Sequence, residues 1–177
     1  ILGVSLRSPA VRDQMRTQDG LYTLVERSAV GSKARMIEAV ADVLVASEER
    51  ERLVATLAAA TTHIASFTIT EKGYCRAPDG SLDLALADDR SAYAYLAAAF
   101  ARRKEARLSG LTLLSCDNLA GNGAQLERLI AEYLSAHAPD LVDWFKAECA
   151  CPSTMVDRIV PATTDADRQQ IEALIGM

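Results

Sequence analysis

The sequence predicts an α/β protein built on a doubly wound, largely parallel sheet, with one β-hairpin inserted. Three observations carry that expectation. Short apolar runs alternate with helical patterns, as in Leu111-Thr-Leu-Leu114 before the helix that opens near Gln125. These runs lack apolar–polar alternation, so they read as strands buried on both faces. Polar turns containing glycine follow the runs, as in Ser115-Cys-Asp-Asn118 to Gly123, and strand-to-helix crossovers need such turns.

A chain of 177 residues, 50% apolar and 24% charged, has the profile of one folded domain with a proper core. Its net charge of −5, with no cluster of basic and aromatic residues, argues against a nucleic-acid surface. Arg102-Arg-Lys104 is the densest basic spot. It falls late in a helix, where cations suit the macrodipole; a phosphate patch is the alternative. No apolar run reaches the roughly 20 residues that span a bilayer, and no signal peptide is recognisable, so a cytoplasmic location is expected. Cys75, Cys116, Cys149 and Cys151 are expected to be reduced and structural. Cys149-x-Cys151 has the wrong gap for a metal knuckle, and no metal is expected.

In order, Ile1–Ser5 reads as a short buried strand. Ser8 and Pro9 then open a helix that runs to about Gln18 and ends at Asp19-Gly20. Leu21–Glu26 and Ala34–Ala39 are β-leaning and should form a hairpin turning at Gly31. A helical face runs from Ser47 to about Ala60, and His63–Ile69 is the next strand. Cys75–Arg90 should be irregular, with Pro78-Asp-Gly80 as a turn. Ser91–Arg107 reads as an alanine-rich helix and residues 111–116 as a strand. Helices follow at about Gln125–His137 and Asp140–Cys149. Pro152–Pro161 reads as irregular to extended, and Thr164 begins a last helix to Ile175. The chain opens on Ile1 within a strand, and a piece of something longer is the expectation.

Ligands of open parallel sheets sit at the carboxyl ends of the strands. Asn118 and Asn122 lie at such an end. An asparagine there can hold a carbonyl or alkoxide oxygen without adding charge, while an Asx turn and helix cap is the other reading of both. Thr70-Glu71-Lys72-Gly73-Tyr74 follows the preceding strand. Glu71 could accept protons or touch a ribose, and a solvated charged loop is the alternative. In Met155-Val-Asp-Arg-Ile-Val-Pro161, Asp157 either faces a polyhydroxylated substrate or joins an Arg–Asp structural network. Ser5 to Ser8 occupies the place where dinucleotide-binding folds usually carry a ribose-binding carboxylate. Arg7 stands there instead, as a phosphate contact of NADP type or as an exposed loop residue.

Thr70-Glu-Lys-Gly-Tyr74, Ser115-Cys-Asp-Asn-Leu-x-x-Asn-Gly123 and Met155–Pro161 together resemble the mannitol dehydrogenase family. That family is the group of polyol-specific long-chain dehydrogenases that includes the fructuronate (mannonate) oxidoreductases. Gly3–Pro9 and Asp19–Glu26 are similar to the family's opening region, so the likeness covers practically the whole chain. It implies a Rossmann-like domain and an NAD(P)-dependent, metal-independent interconversion of a polyol or aldonate with its keto form. NAD is the expected cofactor, with NADP as the alternative. By motif position, Asn118 is similar to an oxyanion-hole asparagine and Asp157 to a substrate-side aspartate. Glu71 is similar to a carboxylate between a catalytic lysine and solvent. Ser5, Arg7, Thr70 and Asn118 are the candidate cofactor contacts. The family's pyrophosphate-cradling glycine turn and its Lys-x4-Asn-x2-His constellation are both missing from these residues. Residues 1–177 are therefore expected to be part of a dinucleotide-binding domain, truncated at both ends and inactive alone; a non-catalytic nucleotide-binding or interaction module that has lost the chemistry is the alternative.

Overall fold

The structure, a computed structural model, describes residues 1–156 and 163–175, with Glu71 described by its backbone alone. The chain divides into two compact units. One comprises Ile1–Val45 with the described part of Arg158–Met177, the other the described part of Ala46–Asp157.

In the first unit, β1 (Leu2–Ser5) pairs in parallel with β4 (Asp42–Val45), from Leu2 opposite Asp42 to Ser5 opposite Val45. Between them come helix α1 (Ala10–Arg16) and an antiparallel hairpin, β2 (Tyr22–Ser28) and β3 (Gly31–Ile37). Ser8 Oγ accepts the Ala10 amide at the start of α1. Asp19 and Gly20, both at positive φ, turn the chain out of α1. A Cβ on Gly20 would stand 2.2 Å from the Val40 carbonyl oxygen, so this turn requires glycine. Arg16 reaches back to the Asp42 carboxylate at 3.1 Å and joins the end of α1 to the start of β4. The last helix, α7 (Asp165–Ile175), opens on a reciprocal cap. Thr164 N–H donates to Asp167 Oδ2 and Asp167 N–H to Thr164 Oγ1. That cap, chiefly the Thr164 amide, draws the Asp167 carboxyl down to about 2, with Arg27 of β2 adding to it.

Two expectations change here. The segment Asp42-Val-Leu-Val45, unassigned from sequence, is a strand, and Leu44 and Val45 are fully buried. By contrast β1, expected to be buried, leaves Val4 43% exposed. Among the described residues it is hydrogen-bonded on one side only, to β4.

The second unit holds the main core. Helix α2 (Arg50–Ala58) leads to β5 (Ile64–Phe67), which is joined through α3 (Thr70–Gly73) and α4 (Ala92–Glu105) to β6 (Thr112–Ser115). β5 and β6 pair in parallel, Phe67 opposite Ser115, and α4 supplies the crossover. Helix α5 (Asn122–His137), a 3-10 turn at Pro139–Leu141 and α6 (Val142–Glu148) follow. Tyr93, Leu96 and Phe100 of α4 pack with Leu126, Leu129, Ile130 and Tyr133 of α5, Phe145 of α6 and Leu111 and Leu113. This cluster explains the alanine-rich pattern of α4: small residues let its aromatic rings lie against α5 and α6.

Arg103 is 1% exposed and has no carboxylate partner among the described residues, where its guanidinium is met by carbonyl oxygens. Nε donates to Ser109 at 2.7 Å, Nη1 to Leu57 and Ala59 at 3.0 and 2.8 Å, and Nη2 to Gly110 at 3.4 Å. It thus closes the end of α2 against the approach to β6. Of its neighbours, Arg102 makes a bidentate pair with Glu51, and Lys104 donates to the Asp140 carbonyl. All three cations of the basic spot therefore have intramolecular partners.

Candidate functional site

The carboxyl edge of the β5–β6 pair is built around Asp117, two residues past the end of β6. Its Oδ2 accepts the Ile69 amide at 2.9 Å and its Oδ1 the Thr70 amide at 3.2 Å, tying the chain after β5 to the end of β6. The Tyr74 hydroxyl adds a third bond, 2.9 Å to Asp117 Oδ2, and lies 2.6 Å from Ser115 Oγ. Tyr74 and Ser115 are both fully buried. Burial pushes the tyrosine hydroxyl up to about 12, so it keeps its proton. A phenol that spends its proton on Asp117 must accept from Ser115, and the chain therefore runs Ser115 to Tyr74 to Asp117. Thr70 has φ of +59°, an uncommon conformation for a β-branched residue.

Asn122 is 2% exposed and is consumed by structure. Its Nδ2 hydrogens are shared among the Ser115, Asp117 and Thr154 carbonyls and Thr154 Oγ1, at 2.9 to 3.3 Å. Its Oδ1 accepts the Thr154 amide at 3.0 Å. Gly123 is required for the same contact, because a Cβ there would stand 2.4 Å from the Cys151 carbonyl oxygen. The Asn122-Gly123 pair, expected to be a turn, is thus the first residue pair of α5. The turn falls on Gly121, at φ +59°. Sequence spacing misses this because asparagine–glycine is also good turn chemistry.

Asn118 differs. It is exposed, and its amide makes no hydrogen bond among the described residues. Thr70 is exposed at the start of α3, after the neighbouring strand, and Glu71 follows it. Asp117 gathers Thr70 and the end of β6 at one edge, so Thr70 and Asn118 both flank this carboxylate. Ser5 and Arg7 belong to the other unit. Ser5 Oγ accepts the Ser8 amide at 3.2 Å. Arg7 is exposed, with no ion pair among the described residues. Asp157 lies outside the described residues. Sequence reading placed Asp117 and Tyr74 in the motifs at this edge but gave neither a role, although an aspartate just past a buried strand was a readable signal for bracing the adjacent loop.

All four cysteines are free thiols. Burial raises Cys149 and takes Cys151 up to about 12. Among the described residues no group of histidine, cysteine and carboxylate side chains could hold a metal, and no helix is long and apolar enough to cross a membrane.

Parallel strands joined through helices, with a polar constellation at their carboxyl edge, define a Rossmann-type domain. The chain belongs to the mannitol dehydrogenase family: the model of the mannitol dehydrogenase Rossmann domain matches residues 1–175. It is 38% identical to mannitol 2-dehydrogenase of Aspergillus terreus, over 100% of this chain and 38% of that protein. With the Phaeosphaeria nodorum mannitol 2-dehydrogenase it shares 37% identity, again over 100% of this chain and over 34% of the relative. The chain thus spans little more than a third of the relatives it matches. It superposes on Pseudomonas fluorescens mannitol 2-dehydrogenase, solved as a ternary complex with NAD and D-mannitol, with a TM-score of 0.87 and 34% identity. That match covers 98% of this chain and 38% of the other. A D-sorbitol dehydrogenase in substrate-free form gives a TM-score of 0.93 at 31% identity, over 99% of this chain and 40% of the other.

Proposed function

We propose that residues 1–177 form part of the dinucleotide-binding domain of an NAD(P)-dependent oxidoreductase that interconverts a polyol and its keto form. The mannitol–fructose pair is the first candidate and NAD the cofactor. One observation carries the reading: an exposed, unengaged amide, Asn118, stands at the carboxyl edge of a parallel pair, in a family with a member captured with NAD and D-mannitol.

The residues at this edge fit a dinucleotide. Asn118 offers a donor and an acceptor with no partner among the described residues, and Thr70 a hydroxyl; in the other unit, Arg7 offers an exposed guanidinium suited to a phosphate or ribose. When bound, NAD supplies the nicotinamide C4 that takes or returns hydride. Asn118 donates its amide N–H to the substrate oxygen as that oxygen gains negative charge, and so stabilises the transition state more than the ground state. Glu71 is assigned to the proton path and Asp157 to the substrate side. Ser5, Arg7 and Thr70 are assigned to the cofactor. The lysine that the family resemblance implies as general base has no counterpart in these residues, so the proposal places it in a helical domain of the complete protein.

The test is nicotinamide reduction by the complete protein that carries this chain. The panel holds D-mannitol, D-sorbitol, other polyols and aldonates of the mannonate type, with NAD and NADP in parallel. D-Mannitol with NAD should give the highest kcat/KM. A preference for mannonate would move the substrate to the sugar acids. Binding of NAD without reduction on any substrate would replace the enzyme by a nucleotide-binding module.

A further inference from the structure

The Asp117 carboxylate makes three hydrogen bonds, and all three bear on the loop between β5 and α4. Two of the donors are the consecutive amides of Ile69 and Thr70, and Thr70 is the residue held at φ +59°. The third, Tyr74, lies at the other end of α3. Asp117 therefore grips the four-residue helix from both sides. Tyr74 in turn is fixed by Ser115, the last residue of β6, and the Tyr93 hydroxyl donates to the Tyr74 carbonyl at 2.9 Å. The loop's conformation is set by the residue immediately before Asn118, so the two parts of the edge cannot move independently.

We propose that Asp117 is a positioning residue for the reaction. Through the Ile69 and Thr70 amides and the Tyr74 hydroxyl it holds the Thr70–Gly73 turn in register with Asn118, so that both present to the same bound nucleotide and substrate. The inference rests on the polyol-dehydrogenase reading. It adds a residue that touches neither ligand. Asparagine at position 117 keeps the size but gives up one acceptor for an NH2 group, which must face an N–H or O–H donor. At least one of the three bonds is then lost, and the strained Thr70 has less to hold it.

The experiment uses the complete protein and compares wild type, Asp117→Asn and Tyr74→Phe. Tyr74→Phe removes one donor without changing the packed ring, and it keeps the test usable where Asp117→Asn does not fold. Two quantities are read: steady-state kinetics on D-mannitol with NAD, scaled to folded protein, and hydrogen exchange of the Ile69–Tyr74 peptide without ligand. Asp117→Asn should lower kcat tenfold or more with KM changed less than threefold, and speed exchange in that peptide at least tenfold. Tyr74→Phe should move both in the same direction by a smaller factor. Faster exchange with native kcat would make Asp117 a purely structural brace and overturn the proposal, as would unchanged exchange. A wild-type protein that turns over no polyol would bring down the functional reading and this inference together. An active wild type beside a fully active Asp117→Asn would bring down the inference alone.

Discussion

Asn122 and Thr154 exchange hydrogen bonds in both directions. Asn122 Nδ2 donates to the Thr154 carbonyl and hydroxyl, and the Thr154 amide donates to Asn122 Oδ1. One asparagine thus does for residues 152–154 what a neighbouring strand would do. Asn122→Ala should lower unfolding free energy by about 2–4 kcal/mol, because one buried and three part-buried acceptors and one N–H lose this partner together. Denaturant melts of the complete protein check the size of the loss. A change under about 0.5 kcal/mol, the scale of an ordinary surface substitution, would show that water replaces the amide.

Gly123→Ala should produce a loss of the same kind for a different reason. The added carbon would stand 2.4 Å from the Cys151 carbonyl oxygen and 2.6 Å from the Ser153 nitrogen, and backbone must give way. A cost of about 1–3 kcal/mol is the usual range for such overpacking. Combined with Asn122→Ala, the loss should be clearly less than the sum, since both act on one contact.

Arg103→Met keeps the bulk of a buried side chain and removes five donors. It should destabilise by about 3 kcal/mol, since the carbonyls of Leu57, Ala59 and Ser109 lose a shared charged donor. Arg103→Lys should recover only part of this, because a point charge cannot span acceptors on both sides of the fork. Thermal melting of the two variants side by side decides it.

Asn118→Ala should do the opposite of these three. Turnover should fall about a hundredfold, the usual scale for one oxyanion donor, with stability inside about 0.5 kcal/mol of wild type. Steady-state kinetics with a matched melt separates the two readouts, and unchanged turnover would remove Asn118 from the site.

Alkaline pH should weaken the fold through Tyr74. Its hydroxyl is pushed up to about 12 by burial, against roughly 10 in an unfolded chain. The folded state therefore prefers the proton. The stabilisation is complete below about pH 10 and is lost as pH rises toward 12. Its size is about 2–3 kcal/mol. Tyr93 and Tyr133, also raised by burial, add to the loss in the same direction. Denaturant melts at pH 8 and pH 11 should show a smaller decline for Tyr74→Phe than for wild type.

Much of this was legible in the sequence. The apolar run at Leu111–Leu114 announced β6, although Thr112 and Leu114 on one of its faces are only half-buried. The hairpin was announced too, but Gly31 opens β3 opposite Ser28 and the turn falls just before it, at residues 29–30. Asp42–Val45 went unread because four residues leave no room for a period, and Val43-Leu-Val45 looks the same in a helix or a strand. The Rossmann-type architecture was expected and is what the family match supports. At the edge of β5 and β6 the polar residues were found, but their division of labour was not. Nothing in the letters separates an asparagine facing solvent from one four residues later that is spent on tethering a distant segment. Likewise, Asp117 reads as a loop carboxylate until the amides of Ile69 and Thr70 are seen to point at it.

β6 is covered on both sides. β5 lies along one, and on the other Leu113 N–H donates to the Ala150 carbonyl while Ala150 N–H donates to Leu111. A strand so enclosed offers no template to a second chain, which keeps its leucine-rich stretch from seeding cross-β assembly. It also makes the neighbourhood of Ala150 a poor place to splice in a reporter peptide. The hairpin tip, where Val30 is 97% exposed, is the better one.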